Sequence, residues 1–320
     1  MGSLRVGIDL GGTKTVVGLI GEDGAVLKRV RFATAPQRGR EAVIAELVEA
    51  VREVLAAAPA AGEACQVGIG IPGTPDYATG SVVSAPNLDW EDVPLAAILR
   101  NRLGLDRPVL LDQDTKAAAI AEKLFGAAQE WDDFLCLTIG TGVSAGIFVN
   151  GDLCRGAIAA AGEIGYTVVY NHPGEAVPGT PAGWRFAEML EGVAAGPAIG
   201  RAWKAGADAE AVFRAARQGD EEAARIVAET ARLLALGIMN AVHLLNPDGV
   251  VLGGGVSLAG ESLFKPLWAE IRASDYYRPA FAGLPIVPAR LGADAPLVGA
   301  AFLDRFPPRA RRPGRMKESG

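Results

Sequence analysis

The chain has 320 residues, half of them hydrophobic and 21% charged, a soluble globular composition that excludes intrinsic disorder and collagen-like structure. The net charge is −6 and the body of the chain carries no basic footprint, so neither nucleic acid nor a membrane is an expected partner. Three cysteines (Cys65, Cys136, Cys154) that are odd in number and never closely paired, with no secretory leader, place the expected site of action in the reducing cytoplasm.

The first residues read as strand, glycine turn, strand, turn, strand: Leu4–Leu10, Gly11-Gly12, Thr13–Ile20, Gly21–Gly24, Ala25–Phe32. Apolar residues at helical spacing predict a helix over Arg40–Ala58, and Gln66–Ile71 reads as a buried strand that ends at Pro72-Gly73. A short helix over Glu91–Leu103 and a strand over Pro108–Leu111 follow. Asp114 then stands where an N-cap belongs, ahead of the Ala-rich helix Thr115–Phe125, which stops at Gly126.

The pattern then restarts. Phe134–Ile139, Gly140-Thr141-Gly142 and Val143–Val149 repeat the opening hairpin and run to an Asn150-Gly151 turn; at an offset of 129, Gly11 falls on Gly140 and Leu19 on Phe148. A duplicated hairpin argues for two related α/β lobes across a cleft, here residues 1–115 and 116–296. Helices are expected over Trp184–Glu191, Pro197–Ala205, Ala209–Gln218 and Glu221–Leu245, with a strand over Val250–Leu252 entering Gly253-Gly254-Gly255. A last helix, Leu297–Phe306, would pack back on the first lobe. The remainder, 307–320, is basic and reads as a frayed terminus.

Two pattern matches are rejected on context. Gly68-Ile-Gly70-Ile-Pro-Gly73 matches the dinucleotide fingerprint, but no helix starts within it. Gly142-Val-Ser144-Ala-Gly146 matches the nucleophile elbow, but a strand follows where the elbow needs a helix. The stronger signal is three separate glycine turns: Asp9-Leu-Gly11-Gly12-Thr13-Lys14, Thr138-Ile-Gly140-Thr141-Gly142 and Leu252-Gly253-Gly254-Gly255. Glycine lets backbone N–H groups approach an anion and threonine adds a hydroxyl, so such turns suit nucleotide phosphates.

With these turns in place, the chain resembles the ROK family of sugar kinases and sugar-responsive repressors, within the hexokinase–actin-like ATPase superfamily. The resemblance rests on VGIDLGGTKTVVGLI, GIGIPGTPDYATGSVVSAPNLDW, LLDQDTKAAAIAEKLFGAA, LTIGTGVSAGIFVNGDLCRGAIAAAGEIGY and MLEGVAAGPAI, in family order from about Arg5 to Phe306. It implies a two-lobed α/β actin-like (ribonuclease H-like) fold and ATP- and Mg²⁺-dependent phosphorylation of a hexose or N-acetylhexosamine. It also implies a homodimer. Asp9, Gly11, Gly12, Thr13 and Lys14 would lie at the phosphates, with Asp9 placing Mg²⁺ through water. Thr138, Gly140, Thr141 and Gly142 would hold their other side, and Gly254 and Gly255 would lie by the adenosine. Gly73, Asn87, Gln113, Glu163, Tyr166 and Glu191 would line the sugar site, and Asp114 would be the catalytic base. Carboxylates and amides suit this task because their oxygens accept sugar hydroxyl protons in pairs, and a helix start favours an ionised carboxylate at Asp114.

Three departures from the family pattern stand out. Gln113 replaces an asparagine, Tyr166 replaces a histidine, and the positions of a cysteine cluster hold Ala182, Trp184 and Met189. All four zinc ligands go together, so no structural zinc is expected, and His172 cannot supply one alone. Two other readings compete with a kinase: a repressor, which would need a DNA-binding domain ahead of Leu4, and a sugar- or nucleotide-binding protein with weakened catalysis.

Overall fold

In the computed structural model, which describes residues 4–57, 66–171, 187–274, 281 and 283–308, the opening glycine turn folds the chain back on itself at once. β1 (Arg5–Leu10), β2 (Lys14–Ile20) and β3 (Val26–Ala33) form an antiparallel meander, followed by α1 (Arg40–Ala56) and β4 (Gln66–Ile71), which lies parallel to β1. β5 (Thr74–Asp76), β6 (Ser81–Ala85) and β7 (Trp90–Val93) make a small separate sheet. α2 (Leu95–Leu103) then leads to β8 (Leu110–Gln113), parallel to β4, so the first main sheet is ordered β3-β2-β1-β4-β8.

Beyond α3 (Asp114–Phe125) the plan repeats with β9 (Phe134–Ile139), β10 (Val143–Val149) and β11 (Asp152–Cys154). The β10–β11 turn uses Asn150 and Gly151, both at positive φ (53° and 72°), as the hairpin requires. β12 (Val168–Asn171), β13 (Ala187–Met189), α4 (Leu190–Ala194), α5 (Gly196–Trp203), α6 (Ala209–Arg217) and α7 (Glu221–Leu245) intervene before β14 (Gly249–Gly253). α8 (Glu261–Ala273), β15 (Ile286–Pro288) and α9 (Ala295–Ala301) complete the described chain. The second main sheet is ordered β11-β10-β9-β14-β15, the same topology as the first.

The repeat is offset by 129 only before its turn. Val6 pairs with Leu19 and Leu135 with Ile147, so beyond the turn the offset is 128 and Leu19 answers Ile147, not Phe148. The second glycine turn is one residue shorter.

Among the described residues the core falls into three clusters. One packs α1 and α2 on the first sheet, and one packs α5 to α8 on the second. The third lies between the sheets and joins α3 and α9 to Val16, Ile20, Phe134 and Phe148. Bare backbone makes that middle layer possible. A Cβ on Gly7 or Gly68 would lie 2.0 or 1.9 Å from the carbonyl oxygens of Leu297 and Ala300 in α9, and one on Gly299 would lie 1.6 Å from the Ala117 carbonyl of α3. A Cβ on Gly146 would meet Ala119 at 2.3 Å. Gly68 and Gly146, one from each rejected motif, are thus packing devices where helices cross sheets. α7 is the one described helix long and apolar enough to span a membrane, and 67% of its apolar window is buried within the protein.

Several boundaries differ from the sequence reading. Residues 90–93 are strand, not helix: Asp92 has φ 49° and Pro94 precedes the helix, which delays its start to Leu95. Of the expected helix Trp184–Glu191, Ala187–Met189 is strand paired with β12, while 184–186 lie outside the described residues, as do Cys65, His172, Ala182 and 309–320. The last helix begins at Ala295 and ends at Ala301, giving way to a 3-10 turn over Leu303–Arg305. α8 has no forecast at all, and it carries Pro266 inside.

Candidate active site

Asp9, near the end of β1, lies in register with Gly70 on β4, and Gly70 with Asp112 on β8. With no side chain at Gly70, the start of α3 comes close: a Cβ there would lie 3.1 Å from the Asp114 Cα. Asp9 and Asp114 therefore share a recess above a bare glycine. Burial and the Asp114 charge push the Asp9 carboxyl up to about 7, with Lys14 opposing. The turn beyond Asp9 is braced from behind by Thr34, which the sequence reading did not single out. Its hydroxyl donates to the Gly11 carbonyl at 2.6 Å and its N–H to the Thr13 carbonyl at 3.0 Å. The side chains of Thr13 and Lys14 are exposed. A Cβ on Gly12 would lie 3.0 Å from the Asn87 Cβ, so the expected phosphate turn and the expected sugar asparagine touch. Gly73 is set against β6, where a Cβ would lie 2.3 Å from the Ser84 carbonyl.

Asp114 is the first residue of α3, and Gln113 takes the cap position without a side-chain cap bond. The backbone of Asp114 is already helical, so its carboxylate accepts instead from the next residue, from Thr115 N–H at 2.7 Å and Thr115 Oγ1 at 3.3 Å. These bonds lower its pKa, but burial dominates and the charge of Glu163 adds to it, so the carboxyl titrates above its ordinary value. The helix start alone does not set its ionisation.

Across the cleft, Glu163 Oε1 accepts from Gln113 Nε2 at 3.1 Å. Glu191, in the first turn of α4, accepts from Val143 N–H at 2.9 Å, and a Cβ on Gly142 would lie 2.6 Å from its Oε2. Glu191 therefore abuts the second glycine turn. Gly140 in that turn donates to the Gly142 carbonyl and accepts from Gly196 N–H. Thr138 pairs with Ser144 on β10 and with Gly253 on β14, which brings the third turn alongside. Gly254 has φ 82° and lies over Ile139, where a Cβ would fall 2.4 Å from the carbonyl oxygen, so only glycine fits. Gly255 is exposed. A cavity of about 630 Å³ opens here, lined by Thr141, Glu191, Ala195 and Arg201 among others. Tyr166 follows Glu163 in a 3-10 turn with its side chain 62% exposed; it is not core filler, and it is open to solvent here.

Three charged groups behind this site have no role in the sequence reading, although all three lie in segments that resemble the family. Asp112, fully buried, accepts from Tyr77 Oη and Arg155 Nε at 2.7 Å each, and from Gln113 N–H at 2.9 Å. Arg155 also donates to the Phe306 carbonyl at 2.6 Å. A larger cavity, about 680 Å³, lies on the side of Tyr77, Cys154 and Arg155, away from Asp9 and Asp114. The third group is Lys116, with no exposed surface.

The carboxylate recess between two glycine-turned lobes is what the family pattern requires, and the sequence profile of the ROK family matches residues 5–305. The chain belongs to the ROK family. A glucokinase of Thermotoga maritima is 37% identical over 318 residues, covering 93% of this chain and 96% of that protein. The crystal structure of a ROK hexokinase from Thermus thermophilus matches with a TM-score of 0.77 and 36% identity, covering 94% of this chain and 99% of that one. That of a ROK family glucokinase from Streptomyces griseus, in complex with glucose and AMPPNP, matches with a TM-score of 0.76 and 32% identity, covering 94% and 98%. The ROK chain described here accordingly has the two-lobed actin-like ATPase fold of the hexokinase superfamily.

Proposed function

We propose that this ROK protein phosphorylates glucose, with Asp114 as the base that takes the hydroxyl proton. The chain is an ATP-dependent hexose kinase; the choice of glucose is supported by relatives so named that span nearly its whole length. One observation carries the assignment of the base. Asp114 lies over Gly70, the register partner of Asp9, and next to Gln113, which donates to Glu163, so its charge is felt by Asp9 on one side and it feels Glu163 on the other.

Asn87, Glu163 and Glu191 would receive the sugar, with Tyr166 at its rim and Gly73 shaping the wall behind. The glycine turns at Gly11–Thr13 and Gly140–Gly142 would hold the phosphates of ATP, with Gly254 and Gly255 near the adenosine. Magnesium, which supplies neutralisation of phosphate charge when bound, fits Asp9, directly or through water. Burial and a second carboxylate leave that group short of positive charge, with Lys14 its one opposing cation. Burial makes Asp114 a stronger proton acceptor than a free carboxylate. As the sugar oxygen bonds to the γ-phosphorus, its proton passes to Asp114 and the bond to the ADP oxygen breaks. Closure of the lobes would exclude water from this recess. The reading takes the chain as cytoplasmic and, on the resemblance, as a homodimer, which sedimentation velocity reads directly.

Asp114→Asn keeps shape and hydrogen bonding but cannot accept the proton, so turnover should fall by about two orders of magnitude or more while glucose affinity changes far less. Turnover near wild type removes Asp114 from the mechanism. The assay is ADP release with glucose, mannose, N-acetylmannosamine and N-acetylglucosamine, run with ATP and with polyphosphate. A clear preference for a sugar other than glucose overturns that assignment.

A further inference from the structure

Lys116 is a charged side chain with no exposed surface, placed on α3 two residues after Asp114. Its ammonium donates to Gln113 Oε1 and, at 2.9 Å, to the Ala159 carbonyl. Ala159 is itself buried and held at φ 65°, in the loop that leads to Glu163. Burial lowers the lysine pKa, while the charges of Asp112 and Glu163 act to keep the ammonium protonated. A buried lysine costs stability unless something requires it, and nothing in the reaction above uses it.

Hydrogen-bond chemistry shows what it does. A lysine ammonium donates and never accepts, so the atom of Gln113 that faces it must be the amide oxygen. The amide NH₂ is thereby turned to Glu163, 3.1 Å away. Both ends of Gln113 are engaged inside the protein, the oxygen by Lys116 and the NH₂ by Glu163. The strut begins on α3, passes through the end of β8 and reaches both Glu163 and the loop that carries it.

We infer that Lys116 is a positioning residue of the sugar site, and that Gln113 is a strut between Lys116 and Glu163. This rests on the reading of Glu163 as a sugar carboxylate. Lys116 holds Glu163 at a fixed separation from Asp114 before substrate arrives, so that one Glu163 oxygen is oriented by Gln113 and the other is left to accept a sugar hydroxyl. Preorganisation of this kind acts on sugar affinity and leaves the nucleotide turns alone, while the Lys116 charge also opposes the rise of the Asp114 pKa.

The test measures D-glucose and Mg·ADP affinity by calorimetry, with kcat and KM, for Lys116→Met, Gln113→Leu, the double variant and Glu163→Gln, each checked for native circular dichroism. Lys116→Met should raise the glucose Kd and KM at least tenfold, with kcat at its pH optimum within about threefold, the acid limb of the kcat profile moved up in pH, and the ADP Kd unchanged. Gln113→Leu reads the same strut from its other end, and the double variant should be no worse than the weaker-binding single, because one unit is broken only once. If Lys116→Met and Gln113→Leu are folded and bind glucose within twofold of wild type, or if their effects simply add, the strut is refuted. Loss of glucose binding in Glu163→Gln alone refutes the strut and leaves the sugar site standing. Wild-type binding in Glu163→Gln overturns the sugar site and the strut with it.

Discussion

Replacing Arg155 with methionine removes the cation from a pair whose side chains are only 7% and 1% exposed, at an Nε–Oδ2 distance of 2.7 Å. Water cannot screen the charge left on Asp112. Breaking such a pair from one side costs about 3–5 kcal/mol. Two donors remain on Asp112, from Tyr77 and the Gln113 N–H, which moves the expectation to the lower end; the lost bond to the Phe306 carbonyl adds about 1 kcal/mol. A total of about 4 kcal/mol follows. For 320 residues the unfolding entropy is on the order of 0.7 kcal/mol per degree, so Tm should fall by about 6 °C. The assay is thermal unfolding of Arg155→Met, Asp112→Asn and the double variant without ligands. Asp112→Asn combined with Arg155→Met removes the stranded carboxylate, though it also takes one anion from Lys116, and should recover about half of the loss. A single-variant loss under about 1 kcal/mol, or a double variant worse than Arg155→Met, refutes the reasoning.

Asp9→Asn should stabilise the unliganded protein at pH 8 and do so much less at pH 5. The folded carboxyl titrates at about 7 against 3.8 in the unfolded chain, so stability falls as pH rises through that window, and asparagine avoids the loss. The gain is bounded by about 4 kcal/mol, and equal shifts of Tm at both pH values contradict it. Because Ala182, Trp184 and Met189 stand at the family's cysteine positions, elemental analysis should find no stoichiometric zinc, and chelators should leave Tm unchanged. One zinc per chain that survives dialysis reverses this.

The duplicated architecture was legible because a glycine turn between apolar strands leaves a mark in sequence that survives loss of everything else. Helices with a clean apolar face were legible too: α7 runs over Glu221–Leu245, as its spacing dictates. The small sheet β5–β7 was not, since short strands among turn residues show no periodicity, and the Glu91–Val93 stretch borrowed the helical pattern of α2. Pro266 hid α8, although its side chain lies in the helix's first turns. At the site, Asp9 and Asp114 stood beside a turn and at a helix start, and it was the family resemblance that gave them their roles. Their shared recess could not be found, because it depends on Gly70, which comes between them only once β4 lies between β1 and β8. Lys116 and Asp112 were invisible for a simpler reason. Charged residues read as solvated, and only packing shows that these two never meet water.

The last helix lies on the first strand. α9 packs on Gly7 and Gly68, so the sheet that carries Asp9 lacks part of its cover until residue 301 has been made. At about 5–20 residues per second, the opening hairpin waits roughly 15–60 s on the ribosome with an apolar face unprotected. The molecule is therefore closed like a clasp, by its two ends meeting. A chain cut before Ala295 would leave Gly7 and Gly68 without the helix that covers them.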